Sequence, residues 1–162
     1  MQGDKEVLKC LGEALKAELT AINQYFLHSK MCNNWGYYRL GAYYRKESIE
    51  EMVHAEKLMD RILLLEGTPN MTDIGPINVG KSVKAMFESD LALEMQASKH
   101  LNGAIKIAVA AGDNASRALF EEILKDEEEH IDHLEAELHA IEEIGLANFL
   151  AQQLHKGEEG EH

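Results

Sequence analysis

Apolar residues recur at alternating spacings of three and four along four long segments of this chain, the period of helices that each bury one face. In the first, Leu8, Leu11, Leu15, Ile22 and Tyr25 fall in line behind Asp4, a residue suited to capping a helix, so a helix is predicted from Asp4 to about Lys30. The run "NNWG" at 33–36 breaks the pattern. A second helix is expected over 37–66, with Leu40, Tyr44, Leu58 and Leu65 in its seam and "GTPN" at 67–70 as its stop. Ser82 is placed to cap a third, whose seam holds Val83, Phe87, Ala97, Leu101 and Ala108 before "AGDN" at 111–114. The fourth carries Phe120, Ile123, Leu134 and Ile141 and closes at Gly145. A short fifth segment, "LANFLAQQL", follows, and the reading is one domain over 1–157 with an acidic tail at 158–162.

Short breaks make helices one and two an antiparallel pair, and likewise three and four. The link between Gly67 and Lys81 is longer, roughly 15 residues, and extended it reaches about 50 Å, while a 30-residue helix is about 45 Å long. That connection can therefore run the length of the bundle and make helices two and three parallel. The expected fold is all-α, a four-helix bundle with one long crossover and a short C-terminal helix, the ferritin-like arrangement. Up-down-up-down is the alternative topology.

Composition narrows the function more than the fold. A formal charge of -13 argues against nucleic acid or an anionic membrane as partner and suits a protein that attracts cations. No apolar run approaches 18 residues and no basic leader precedes an apolar stretch, so the expected location is cytoplasmic. Cys10 and Cys32 form no C-x-x-C pair and read as small buried hydrophobes.

The chemistry lies where charge interrupts the apolar seams. Glu18 sits in the first seam, Glu47, Glu51 and His54 in the second, Asp90 and Glu94 in the third, Glu127 and His130 in the fourth. Glu-x-x-His occurs three times, and Glu159 with His162 in the tail is the accidental match. The other two belong to a pattern: Glu18 to Glu94, Glu51 to Glu127 and His54 to His130 all span 76 residues. Within each predicted hairpin, the midpoint between Glu18 and Glu51 falls inside "NNWG" and that between Glu94 and Glu127 falls beside "AGDN", so each pair meets at one level. Ionised carboxylates in a core need cations. Two divalent ions balance four carboxylates, and two neutral imidazoles complete the shells. The donors suit Fe or Mn better than thiolate-seeking metals. One Glu from each of two helices with Glu-x-x-His from each of the others is the ligand set of di-iron carboxylate bundles. Glu51 and Glu127 are expected to bridge, with Glu18 and His54 on one ion, Glu94 and His130 on the other.

Beyond these residues, "AINQYFLHS" (21–29), "ESIEEMVHAE" (47–56), "RILLLEGTPN" (61–70), "SDLALE" (89–94) and "DEEEHID" (126–132) make the chain resemble a bacterioferritin over essentially its whole length. The resemblance implies an iron-storage protein with ferroxidase activity at each di-iron centre, oxidising Fe²⁺ with O₂ or peroxide and storing ferric mineral inside a 24-subunit shell. It also implies haem b between two-fold-related subunits, each offering Met52 to the iron, and a small iron-sulfur ferredoxin as partner for iron release. Met52 lies about 100° around the helix from Glu51, in an outer stripe with Ile49, Ala55 and Met59. Leu19, Ile22, Asn23, Phe26 and Trp35 match positions lining that haem pocket. Tyr25 and His28 also match family residues, and Tyr25 is read as a neighbour of the metals able to supply an electron.

The chain departs from the family pattern at Lys46 and Glu50, where members often carry histidine and aspartate proposed to bind iron on the inner surface; Lys46 puts that site in doubt. Arg45 replaces a commonly aromatic residue and His133 a tryptophan or tyrosine. Three rival readings stand beside the main one: a haem-binding shell subunit with little ferroxidase activity, a peroxide-scavenging di-iron protein, and a DNA-protecting mini-ferritin, which the charge opposes.

Overall fold

The structure, a computed structural model, describes residues 1–155; the tail predicted at 158–162 lies outside the described residues. Five helices follow one another: α1 (Lys5–Asn34), α2 (Tyr38–Leu64), α3 (Val83–Ala110), α4 (Asn114–Ile144) and α5 (Leu146–Ala151). The predicted caps are in place. Asp4 Oδ1 accepts from the amides of Glu6 and Val7 at 2.9 and 3.1 Å, and Ser82 Oγ from that of Ala85 at 3.2 Å. Gly145 turns the chain out of α4 at φ 84°, a conformation that favours glycine. α1 runs further than expected: Asn33 and Asn34 are helical, and the reversal falls at Gly36, φ 86°.

α2 and α4 run in opposite directions, because Arg61 reaches Ser116, Lys57 reaches Glu122 and Glu47 reaches His130. α1 and α3 are likewise opposed, with His100 beside the Cys10 carbonyl at one end and Asp90 beside Gln24 at the other. With both hairpins antiparallel, α2 and α3 must be parallel, so the connection crosses the bundle lengthwise as its reach allowed. It is laced to α1 at steps of four residues. Lys16 pairs with Asp73 at 3.4 Å, Thr20 Oγ1 accepts from the Gly75 amide at 2.8 Å, Gln24 Oε1 from Asn78 at 3.2 Å, and His28 Nε2 from Gly80 at 3.1 Å. The strap ends against the first turn of α3, where a Cβ on Gly80 would come within 2.3 Å of the Met86 nitrogen.

The core has two apolar clusters. One gathers Leu11, Leu15, Leu58, Leu101, Phe120 and Ile123. The other gathers Leu40, Tyr44, Met86, Phe87, Leu134 and Phe149, with α5 laying Phe149 edge-on against Phe87 at 5.9 Å. Between them, all four long helices contribute a buried polar layer: Glu18, Glu51, His54, Glu94, Glu127 and His130. Among the described residues, no helix is long and apolar enough to cross a membrane.

Candidate metal centre

That layer brings the six sequence-predicted residues together. Glu18, Glu51, His54 and Glu127 each offer a ligand atom within 4.8 Å of the others, and so do Glu51, Glu94, Glu127 and His130. Glu51 and Glu127 are common to both groups. His54 Nδ1 lies 3.6 Å from Glu18 and from Glu51 and 3.4 Å from Glu127. His130 Nδ1 lies 3.2 Å from Glu51, 3.6 Å from Glu94 and 3.4 Å from Glu127. Each of the six has one buried atom with no hydrogen-bond partner: Glu18 Oε2, Glu51 Oε1, Glu94 Oε2, Glu127 Oε1 and the Nδ1 of both histidines. Buried polar atoms are rarely left so, and here they face a common centre. Six oxygen and nitrogen donors turned inward without partners fit a pair of divalent cations.

Both imidazoles turn their other nitrogen outward, to a carboxylate. His54 Nε2 is 2.8 Å from Asp126 Oδ2, and His130 Nε2 is 2.7 Å from Glu47 and 3.2 Å from Glu50. Glu50 and Asp126 each stand just before a shared glutamate, so each hairpin's acid braces the histidine of the other. Glu47 has no such counterpart, since Ile123 occupies the matching place in α4. His130 Nε2 therefore has two carboxylates beside it and His54 Nε2 has one.

Without cations, protons hold the layer together. Burial works against charge on His54, yet Glu127, Glu18 and Glu51 outweigh it and hold the ring protonated well above the usual histidine range. His130 behaves alike, with Glu127, Glu47 and Glu51 overcoming burial. Burial and the nearby Glu51 and Glu127 charges push Glu18 up. Burial resists ionisation of Glu51 too, but its neighbours Glu18 and the two imidazoles, 3.6 and 3.2 Å away, hold it well below the usual carboxylate range.

Tyr25 is buried and its hydroxyl donates to Glu94 Oε1. On the α2–α4 side a cleft of about 550 Å³, lined by Tyr43, Lys46, Glu50, Asp126 and His133 among others, reaches the outer edges of both histidines. Glu47, Glu50 and His130 form a third group of donors there, with His133 stacked on Tyr43 at 4.6 Å. The seam pattern had placed Glu47 and Asp90 in the core without a role, and had passed over Asp126; the one available signal was that Glu50 and Asp126 are themselves 76 residues apart.

Met52 sits away from this layer, about half exposed, as are Ile49 and Phe26. The outer stripe is narrower than expected. Ala55 is buried in the first apolar cluster and Met59 packs against it, because one turn on the side chain has rotated by about 60°. Of the other positions matched to a pocket, Leu19 is buried, Ile22 half-buried, and Asn23 and Trp35 exposed.

Residues 8–144 match the family described as Ferritin-like domain. The chain is 49% identical over 152 residues to Bacterioferritin BfrA of Mycobacterium tuberculosis, covering 94% of this chain and 96% of that one. It is 49% identical over 151 residues to the bacterioferritin of Streptomyces coelicolor, covering 93% and 90%. Against the bacterioferritin of Brucella melitensis it is 45% identical over 145 residues, 90% of each.

Proposed function

The chain belongs to the bacterioferritins, ferritin-like proteins of iron storage, and from that premise we propose that it is a ferroxidase subunit that oxidises Fe²⁺ with dioxygen at the buried six-residue layer. Two Fe²⁺ ions are the substrate. Glu51 and Glu127 are shared between them, Glu18 and His54 serve one, and Glu94 and His130 the other. Bound there, the pair supplies two electrons to the oxidant, and the ferric product is stored inside a 24-subunit shell.

The chain's part is binding, orientation and proton handling. Glu18, His54 and His130 give up protons as cations enter, which keeps the buried layer near neutrality: four carboxylates against two divalent charges. Asp126 and Glu50 hold the Nε2 protons outward and so present each Nδ1 lone pair inward. Apolar clusters lie above and below the layer, and the α2–α4 cleft reaches its two histidines.

One observation carries this reading: every one of the six residues leaves a buried atom unpartnered toward the same centre. Stopped-flow mixing of the metal-free protein with two Fe²⁺ per subunit in aerated buffer tests it. A fast phase abolished by Glu18→Ala is the expected result, and an iron oxidation rate no greater than that of buffer overturns it. Retention of all six donors favours this over a shell subunit with little activity.

Haem b is the second proposed cofactor, held between two-fold-related subunits by Met52 of each. A half-exposed thioether with exposed Ile49 one turn before it on α2 would offer haem a sulfur ligand from an apolar face. A small iron-sulfur ferredoxin is the proposed electron donor for iron release.

A further inference from the structure

Reduction of dioxygen to two waters takes four electrons, and two Fe²⁺ ions supply two. Unless the protein provides the remainder, hydrogen peroxide leaves the site. Tyr25 is one buried phenol beside the layer, bonded to Glu94. A second lies behind it. Tyr44 is 1% exposed, and its ring centroid is 6.1 Å from that of Tyr25. Its hydroxyl donates to Asp90 Oδ2 at 2.6 Å.

Asp90 has no part in the cation groups and is fully buried. Its other oxygen accepts from Gln24 at 2.7 Å and lies 3.1 Å from His28 Nδ1. His28 Nε2 already accepts from the Gly80 amide, so the ring proton is on Nδ1, the nitrogen on the Asp90 side. A fully buried carboxylate is thus held by two donors, Gln24 and the Tyr44 phenol, with His28 beside it. Packing alone needs none of this, since phenylalanine would fill the ring's place beside Phe87. Losing an electron makes a phenol a very strong acid, and a buried one can be oxidised only with a proton acceptor at hand. Tyr44 has that acceptor in place.

We propose that Tyr44 is a redox-active residue which, with Tyr25, supplies the third and fourth electrons for the reduction of dioxygen, its proton passing to Asp90. The inference rests on the ferroxidase reading. In one turnover two Fe²⁺ become Fe³⁺, and each phenol loses one electron and one proton to become a neutral phenoxyl radical. The oxygen–oxygen bond breaks, the Tyr25 proton and three from solvent are taken up, and two waters form while the Tyr44 proton rests on Asp90. The Tyr44 electron travels by way of the Tyr25 ring, and its proton crosses one hydrogen bond.

The test is electron paramagnetic resonance on metal-free protein mixed with two Fe²⁺ per subunit in oxygenated buffer and frozen within a second. Peroxide in the same solution is assayed in parallel. In Tyr44→Phe and in Asp90→Asn the phenoxyl signal is expected to fall by about half and released peroxide to rise. Difluorotyrosine at position 44 keeps the side chain's shape and bond, and is expected to add fluorine splittings to part of the signal. If wild-type protein oxidises no Fe²⁺, both this inference and the ferroxidase reading are overturned. If it does, an undiminished radical in Tyr44→Phe, or a difluorotyrosine spectrum without fluorine splittings, overturns this inference alone.

Discussion

His54 Nε2 and Asp126 Oδ2 are 2.8 Å apart, and this bond settles which face of the ring looks at Glu18, Glu51 and Glu127. Braces of this kind fix the tautomer of a ligating histidine and raise its basicity.

Asp126→Ala should therefore lower affinity for Co²⁺, followed by its visible absorption bands, by about 10–100-fold. Asp126→Asn should recover part of the loss, because its amide oxygen still accepts from Nε2–H. An Asp126→Ala isotherm that overlays wild type would show that the ring needs no brace.

The metal-free protein should lose stability as pH rises. His54, His130 and Glu18 titrate above their ordinary values when folded, so above about pH 6.5 the folded state binds more protons than the unfolded chain, and unfolding becomes easier with each step upward. The histidine contribution is complete below about 6.5 and fades as pH climbs toward the folded values. Glu51 acts in the opposite sense, because its folded value is depressed: its contribution is present above the usual carboxylate range and lost in acid. Thermal melts between about pH 5 and 9 should fall on the alkaline side without metal and flatten with Co²⁺, which has already displaced those protons. Parallel curves with and without Co²⁺ would contradict this.

Met52→Leu changes volume little and should cost less than about 1.5 kcal/mol of stability. It should abolish the spectrum of haem held by two sulfur ligands when the protein is reconstituted with haem b. A wild-type haem spectrum in this variant would remove Met52 from the proposed site.

Arg61 joins α2 to the start of α4, bonding Ser116 Oγ at 2.9 Å and Asp113 Oδ1 at 2.7 Å. Asp113 also accepts from the Ser116 amide at 3.0 Å at that helix start. Burial opposes its charge, but Ser116 and Arg61 hold its carboxyl below the usual range. Arg61→Ala should cost about 1–3 kcal/mol in a urea melt. A midpoint within error of wild type would show the contact to be idle.

The four long helices, the crossover's direction and the six donors were legible because each breaks or keeps a local rule. Asp4, Ser82 and Gly145 mark helix ends through their own backbone preferences, and a glutamate in an apolar seam stands out against its neighbours. Asp126 could not be read that way. It follows Lys125 on the rim of α4 and looks like any solvated acid until antiparallel packing brings it to a histidine 72 positions away. Asp90 sat visibly in its seam, but its partners Gln24, His28 and Tyr44 come from two other helices. Lys16, Thr20, Gln24 and His28 have the spacing of an ordinary wet helix face, and only the docked strap shows what they bind. Ala55 was misplaced because a stripe read at fixed spacing ignores how far the helix surface turns in three residues.

Since the charged stratum is gripped above and below by oily packing, the four rods are clamped at both ends whatever fills the middle. Swapping protons for ions becomes an exchange of contents inside a fixed frame, and the container can be filled and emptied many times without being rebuilt.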